Sequence, residues 1–384
     1  MADPSPGAST PAPLPSPVLE TAFAPAAPEA GVALCLSGGG YRAMLFHLGS
    51  LWRLQQAGLL EAGAVRRVSS VSGGSITAAV LALAWGDKGF PAAEEDRFSA
   101  AVVGPVRGLA RHTIDVGSVL NPFHHTATNV AAAYRRDLFG DKTLQDLPDQ
   151  PRFVLNATNV QTGVLWRFSK PYMGDYRVGL VMNPTLDVAA AVGASSAFPP
   201  FLSPTRLALR HEDFTPDPKA DLQQPPYTTN VVLSDGGVYD NLGLETAFKR
   251  YDTLLVGDGG AKTAPEPEPH GDWPRLSYRV LDLIDNQVRS LRKRVLVGAY
   301  RDGSRRGTYW GIRTDVADYQ LADPLPCPHA TTLELAAVPT RLEATDDALQ
   351  ERLINWGYAV CDAALRKHYD PGLPKGRFPY PNGV

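Results

Sequence analysis

Three short apolar runs in this chain end in glycine-rich turns, which limits the folds open to it. The first two turns are each followed by a segment in which apolar residues recur at helical spacing. A strand that leads through a tight turn into a helix is the repeating unit of α/β proteins. The pattern therefore predicts an α/β fold with a mainly parallel central sheet. The runs are residues 31–36, 65–71 and 231–233, and the helical segments are 41–58 and 76–85.

The rest of the chain adds elements of both kinds. Residues 153–158 and 164–168 are predicted as a strand pair around a Gln-Thr-Gly turn, and residues 253–256 as another short strand. Apolar spacing predicts helices over residues 186–194 and 276–299.

The first 30 residues differ in composition from the remainder. They hold eight prolines and eight alanines, and Phe23 is their only aromatic residue. Such a segment has too little apolar surface to offset the entropy lost on ordering, so residues 1–30 are predicted to be a disordered tail. We expect one domain over residues 31–384, with inserts at about 86–150 and 206–229. The first insert has the length of a lid or a substrate-side cap.

The charge balance excludes one class of function. The 384 residues include 37 Lys and Arg against 40 Asp and Glu, a net charge of −3. Nucleic-acid-binding domains usually carry a basic excess, so no nucleic-acid partner is expected. The cysteines Cys35, Cys327 and Cys361 are far apart and match no metal-site spacing. Because we find no signal-peptide pattern and no membrane-spanning run, we expect a cytoplasmic protein.

The segment Ser37-Gly-Gly-Gly-Tyr-Arg42 lies between the first strand and the first helix. Its glycines allow close approach of the backbone to a ligand, and the helix N-terminus adds positive potential. The segment predicts a site for an anionic oxygen, either a phosphate or a developing oxyanion. It lacks the GK[ST] ending of a P-loop and the GxGxxG dinucleotide pattern. A tight strand–helix turn without a ligand explains the glycines equally well.

A serine-rich turn follows the second strand. Ser72 precedes two glycines and a helix, which is the layout of a nucleophile elbow, where a sharp turn presents the hydroxyl. The usual GxSxG pattern has glycine where this chain has Ser70, which is also small. Ser72 has better flanks than Ser70 or Ser75 and is the predicted nucleophile. A serine-rich helix N-cap is the alternative interpretation.

The third apolar run ends in Asp235-Gly-Gly. An acid at the end of a parallel strand lies where α/β sheets place ligand sites. An aspartate with an ordinary pKa of about 3.9 is ionised at neutral pH and accepts a serine proton when it is suitably placed. We predict Asp235 as that base, with an Asx-turn as the alternative. None of the eight histidines has a convincing context for a Ser–His–Asp triad, which favours a Ser–Asp dyad.

Together these segments resemble the patatin-like phospholipases. Residues 37–44 (SGGGYRAM) are similar to a motif of the cytosolic group IV phospholipases, and residues 194–204 (ASSAFPPFLSP) are similar to the patatin segment that lines the site. The resemblance runs from about residue 31 to about residue 260, with its elements in the family's order. It implies a three-layer α/β/α fold and a catalytic dyad without histidine.

The resemblance also implies roles for single residues. Ser72 is the nucleophile, Asp235 is the base, and Arg42 matches the arginine that binds the substrate phosphate. The implied substrate is a phospholipid or another fatty-acyl ester, and no metal or cofactor is implied. The backbone N–H groups of four glycines form the implied oxyanion hole: Gly38, Gly39, Gly40 and Gly73.

Lipid substrates bring in the question of membrane contact. Four cations lie between Arg289 and Arg294 on the long helix, a number compatible with peripheral docking on anionic lipid. A solvated helix face explains the same charges. The sequence does not set the oligomeric state.

Three other functions are compatible with these residues. A carboxylesterase or acyltransferase would use the same dyad on soluble esters. A degenerate lipid-binding module would keep the fold without the reaction. A nucleotide-binding role for the glycine turn is disfavoured, because no lysine follows it. The expected function is a serine lipid acyl hydrolase of the phospholipase A or lysophospholipase type, which acts through an acyl-enzyme.

Overall fold

The computed structural model describes residues 28–114, 126–200 and 202–384. In this part of the chain, eleven strands form one sheet. They are β1 (Glu29–Leu36), β2 (Arg67–Val71), β3 (Arg152–Asn159), β4 (Val164–Phe168), β5 (Tyr172–Asp175), β6 (Gly179–Met182), β7 (Thr205–Ala208), β8 (Phe214–Thr215), β9 (Asn230–Asp235), β10 (Tyr251–Asp258) and β11 (Arg306–Gly311).

Helices lie between these strands and continue to the end of the chain. They are α1 (Gly40–Gln56), α2 (Gly73–Leu83), α3 (Glu95–Phe98), α4 (Gly104–Ala110), α5 (Thr126–Tyr134), α6 (Val188–Ser195), α7 (Gly237–Asp240), α8 (Glu245–Phe248), α9 (Trp273–Arg301), α10 (His329–Ala336) and α11 (Asp347–His368). None of the described helices combines the length and the hydropathy that crossing a bilayer requires.

The sheet has a parallel part and an antiparallel part. Strands β11, β10, β1, β2 and β3 are neighbours in that order, and all four pairings between them are parallel. The prediction of a mainly parallel central sheet is therefore confirmed. Beyond β3, the strands β4, β5, β6 and β8 pair antiparallel, as do β9 and β7. This antiparallel extension was not predicted, apart from the β3–β4 hairpin.

Two strands meet end to end along one edge of β3. Strand β2 pairs with β3 as far as Val71 opposite Asn156, and β9 pairs with the next residue, with Asp235 opposite Ala157. Because β4 occupies the other edge of β3 and β9 runs antiparallel, the ends of β2 and β9 face each other. The prediction that Asp235 ends a parallel strand is wrong. Its strand is antiparallel to both neighbours, and that direction brings Asp235 to the turn after β2.

Helices cover both faces of the parallel part of the sheet. Side chains of a strand point alternately to its two faces. On β1, Leu34 and Leu36 join an apolar cluster with helices α1, α2 and α11. Ala33 and Cys35 join a second cluster, which includes Ala247 of α8 and Leu296 of α9. The sheet therefore lies between two helical layers, and the three-layer α/β/α fold is confirmed.

Helix α11 packs closely on α1, beyond the range of the family resemblance. Glycines make this contact: a Cβ at Gly49 would overlap the carbonyl oxygen of Ile354, and one at Gly357 would overlap that of Phe46. The two backbones therefore approach without intervening side chains. All of α1 except its last residue is buried, which holds the preceding glycine turn firmly in place.

The regions expected as a tail and as inserts contribute to this core. Strand β1 begins at Glu29, two residues inside the predicted tail, and residues 1–27 lie outside the described part. In the 86–150 region, Phe98, Val106 and Tyr134 belong to the main apolar cluster. Strands β7 and β8 of the 206–229 region extend the sheet.

Candidate active site

Ser72 lies in a strained turn between β2 and α2. Its φ of 51° and ψ of −122° place it in the left-handed half of conformational space, where a side chain is unfavourable. The next two residues must be glycines, because neither position has room for a side chain. A Cβ at Gly73 would overlap the Gly40 carbonyl, and one at Gly74 would lie 2.6 Å from the Ser37 carbonyl oxygen. This geometry is that of a nucleophile elbow.

The other serines of the turn form a buried network beneath it. The hydroxyls of Ser70 and Ser75 are 3.0 Å apart, and those of Ser75 and Ser195 are 2.9 Å apart. Ser195 Oγ also accepts the Ser72 backbone N–H at 3.0 Å and donates to the Asn156 carbonyl at 2.7 Å. The departure from the GxSxG pattern at Ser70 therefore has a structural role, since its hydroxyl helps to hold the elbow.

Asp235 is buried beside the Ser72 turn. Its Oδ1 accepts the backbone N–H of Gly237 at 2.7 Å, whereas Oδ2 has no partner at full hydrogen-bond geometry among the described residues. Burial raises the pKa of Asp235 to about 7, against the lowering effects of the Gly237 N–H and the Ser72 side chain. The ordinary pKa expected from the sequence is therefore wrong, because the sequence does not reveal this desolvation.

The glycine turn presents backbone donors to the same place. Gly39 and Gly40 have φ values of 141° and 61°, which a residue with a side chain rarely adopts. The N–H groups of Gly39, Gly40 and Gly73 form no hydrogen bond with another described residue. The N–H of Gly38 instead donates to the carbonyl of Asn241 at 3.0 Å. Three of the four predicted donors are thus unoccupied.

Asn241 was not singled out from the sequence. Its carbonyl holds Gly38, and its side-chain Oδ1 lies where a Cβ on Gly38 or Gly237 would be. It connects the glycine turn to the segment after Asp235. The only indication of Asn241 in the sequence was that an amide side chain lies six residues after the candidate base. An asparagine near a turn has many structural explanations, so this position alone did not point to the site.

Arg42 does not lie on the candidate site. Its guanidinium is buried and donates to the carbonyls of Gly259 (3.2 Å) and Val338 and to the hydroxyl of Thr340 (2.9 Å). Burial lowers its pKa to about 10. These contacts join α1 to two loops, and they leave the role expected from the resemblance, a substrate phosphate contact, without support in the geometry.

Ser72, Asp235, Gly39 and Gly40 share one cavity of about 650 Å³. This volume is in the range of small-molecule sites. One wall comes from the segment expected to line the site, through Ser196, Phe198, Pro199 and Leu202. The rest comes from Asn241 and from three regions outside the resemblance: residues 261–264, residues 340–342 and helix α9.

Helix α9 lines the cavity with polar side chains. Asp285 and Arg289 lie there, and burial raises the pKa of Asp285 to about 6, against the lowering effect of Arg289. The expected basic patch of this helix is mostly engaged within the protein. Arg289 is buried and donates to Ala261, Arg292 pairs with Glu245 at 3.0 Å, and Lys293 lies over the ring of Tyr309.

No histidine of the described residues lines the cavity. His47 is buried with Nε2 3.0 Å from the Ser37 carbonyl oxygen, and burial lowers its pKa to about 4. His124 and His125 lie outside the described part. Within that part, no group of three or more His, Cys, Asp or Glu side chains is suited to hold a metal ion.

Sequence comparison assigns the family. Residues 34–248, more than half of the chain, match the family described as patatin-like phospholipase. The chain belongs to the patatin-like phospholipase family. In this patatin-like protein the matched region contains the glycine turn, Ser72 and Asp235. The cavity wall formed by α9 lies beyond it.

Solved structures that are similar to this chain include two of human GIVD cytosolic phospholipase A2 and one of VipD from Legionella pneumophila. The human enzyme in complex with methyl gamma-linolenyl fluorophosphonate is 14% identical with a TM-score of 0.49, and the match covers 87% of this chain and 57% of that one. A second structure of the human enzyme is 14% identical with a TM-score of 0.40, and the match covers 89% of this chain and 59% of that one. VipD is 16% identical with a TM-score of 0.38, and the match covers 90% of this chain and 68% of that one. The chain spans less than two thirds of the human enzyme. No curated protein sequence matches it.

Proposed function

We propose that this patatin-like protein is a serine lipid acyl hydrolase of the phospholipase A or lysophospholipase type. The observation that carries the proposal is the convergence of Ser72 and Asp235 in the lining of one cavity. A strained serine, a buried carboxylate and unoccupied N–H groups are the three components that acyl transfer through serine needs.

In the first step, Ser72 Oγ attacks the ester carbonyl carbon and its proton passes to Asp235. The carbonyl oxygen becomes an oxyanion, which the N–H groups of Gly39, Gly40 and Gly73 stabilise. One such donor is typically worth about 3 kcal/mol in the transition state. The helix N-terminus that begins at Gly73 adds to this stabilisation, because its dipole is positive there.

In the second step, the intermediate collapses and the leaving alcohol takes the proton from Asp235. This leaves the acyl group on Ser72. A water molecule then gives its proton to Asp235 and attacks the acyl carbonyl carbon. The fatty acid leaves, and the proton returns to Ser72 Oγ. Each step uses Asp235 alternately as base and as acid, so a pKa near 7 suits both directions of transfer.

The cavity wall supports an acyl substrate. Phe198, Pro199 and Leu202 offer apolar surface next to Ser72, and Leu342 lies on another wall. Arg289 and Lys262 also line the cavity and supply positive charge for an anionic head group. We assign this charge to the cavity wall in place of Arg42, which does not line the cavity.

Labelling with a fluorophosphonate probe followed by peptide mapping tests the nucleophile. We expect the label on Ser72, and no label in Ser72→Ala. The control is Ser304→Ala, which changes an exposed serine away from the cavity. A label on Ser72→Ala at the wild-type level would exclude Ser72 as the nucleophile.

Product analysis then tests the substrate class. We expect release of fatty acid from a long-chain phospholipid or lysophospholipid to be faster than hydrolysis of a short-chain soluble ester. The reverse preference would favour a carboxylesterase. If the folded protein is not labelled by the fluorophosphonate probe at any residue and hydrolyses neither ester, the result would favour a lipid-binding module.

A further inference from the structure

Helix α9 carries more exposed large hydrophobic side chains than any other element of the described chain. Nine of the thirteen exposed large hydrophobic side chains of the described residues lie on it. Only three of its 29 residues are buried, namely Arg289, Leu296 and Ala299. A helix on the surface of a soluble domain normally turns its apolar side toward the core.

The orientation of α9 is the reverse of that rule. At 3.6 residues per turn, eight of these nine side chains occupy roughly half of the circumference, and the ninth, Tyr278, lines the cavity. The eight are here termed the outer face: Trp273, Leu276, Val280, Leu281, Leu283, Ile284, Leu291 and Val295. The opposite half carries the polar side chains that line the cavity, namely Arg279, Asp282, Asp285 and Arg289.

Such a face requires a partner, because exposed apolar side chains grouped on one side of a helix mark an interaction site or a membrane contact. The charges on the helix indicate which kind of partner this is. The half that carries the outer face contains no Asp or Glu, and it includes Arg294 and Arg301. Neither arginine forms an ion pair with a described residue. Apolar side chains flanked by cations are typical of helices that lie in a lipid headgroup region.

The position of the helix supports the same partner. The outer face and the cavity wall are the two sides of α9, so a surface that contacts the outer face lies within one helix diameter of the cavity. Trp273, at the N-terminus of α9, is 79% exposed. Tryptophan favours the membrane interface, where its ring is apolar and its N–H reaches water.

We infer that the outer face of α9 docks on a lipid–water interface and places the cavity beside aggregated substrate. This inference rests on the proposed function, because a lipid acyl hydrolase is the kind of enzyme that gains from such docking. The partner is a lipid surface with zwitterionic or anionic head groups. Docking buries the apolar side chains of α9 and leaves its polar side toward the catalytic residues.

Tryptophan fluorescence gives a direct test, because Trp273 is the exposed one of the six tryptophans and the other five are buried. The protein used is full-length Ser72→Ala, which cannot hydrolyse the vesicles under the proposed mechanism. Phosphatidylcholine vesicles should shift its emission to the blue, and brominated lipid should quench it. Both effects should be absent in Ser72→Ala/Trp273→Phe. Vesicle binding without any change in Trp273 emission would overturn the assignment of this face.

Vesicle co-sedimentation tests the apolar side chains themselves. Ile284→Glu/Leu291→Glu, in the Ser72→Ala background, should bind vesicles at least about tenfold more weakly. The matched control is Val160→Glu/Met182→Glu, which changes two side chains of similar exposure outside α9. Thermal melting checks that both variants fold. Equal vesicle binding by the two variants would overturn the inference.

Two further results separate the alternatives. A dimer of the Ser72→Ala protein in light scattering that becomes a monomer in Ile284→Glu/Leu291→Glu would assign the outer face to a second copy of the chain, and would overturn docking on lipid. Vesicle binding through α9 by a wild-type protein that hydrolyses no ester would overturn the proposed function and leave the docking surface standing.

Discussion

Ser72 and Asp235 approach each other because two strands of opposite direction end at adjacent register positions on β3. Val71, the residue before Ser72, lies opposite Asn156, and Asp235 lies opposite Ala157. The pairing of two strands along one edge of β3 thus brings together two residues that are 163 positions apart in sequence. A shift of one residue in either pairing would turn one of the side chains to the other face of the sheet.

The pKa of Asp235 predicts the pH dependence of activity. Because Asp235 must be ionised to accept the serine proton, kcat/KM should rise with pH and level off above an apparent pKa near 7. Initial rates on a soluble ester across pH 5 to 9 check this. A rate that is already constant at pH 5 would show that the base titrates at its ordinary value.

The same shift predicts how stability varies with pH. Burial raises the folded-state pKa of Asp235 from 3.8 to about 7, so the folded protein binds the proton more tightly than the unfolded chain does. The resulting stabilisation is full below pH 3.8 and is lost as the pH rises to about 7. The Asp235→Asn variant does not lose stability in this way, because its side-chain amide does not titrate. The stability of Asp235→Asn relative to wild type should therefore rise across that window, by at most about 1.4 kcal/mol per pH unit. Chemical denaturation at several pH values measures this, and Ser72→Ala should follow the wild-type trend.

The glycine turn predicts a loss of rate without loss of fold. Gly39→Ala introduces a Cβ at a φ of 141° and 2.9 Å from the Gly259 carbonyl, which should displace the N–H from the oxyanion position. Losing one donor lowers kcat by about 10²-fold or more. The matched control is Gly63→Ala, which also has a positive φ but has open space around the new Cβ. Equal kcat for the two variants would exclude Gly39 from the oxyanion hole.

The contact between α1 and α11 predicts a large effect on stability. A methyl group at Gly357 overlaps the Phe46 carbonyl, so Gly357→Ala must separate the two helices. Such overpacking lowers the free energy of unfolding by about 1–3 kcal/mol. Gly298→Ala, also within a helix but with nothing near its added Cβ, should leave stability unchanged or raise it slightly. Urea denaturation compares the two, and similar midpoints would argue against the close helix contact.

Much of the parallel part of the fold was predictable because its signals are local. The apolar run before the first glycine turn and the helical spacing after it coincide with β1 and α1 within two residues. The hairpin of β3 and β4 and the long helix α9 were also predicted. Strands β5 to β8 and β11 were missed, since they are short, and their pairing partners stabilise them more than their own pattern does.

The local sequence was enough to identify the candidate site residues. Serine and aspartate next to glycine pairs point to a nucleophile, a base and turns that few other residues fit. The direction of β9, the buried state of Asp235 and Arg42, and the side that α9 turns to solvent are set by contacts between distant parts of the chain. Desolvation depends on what packs around a group in three dimensions, so the pKa of Asp235 and the exposed apolar face of α9 were decided by the tertiary structure alone.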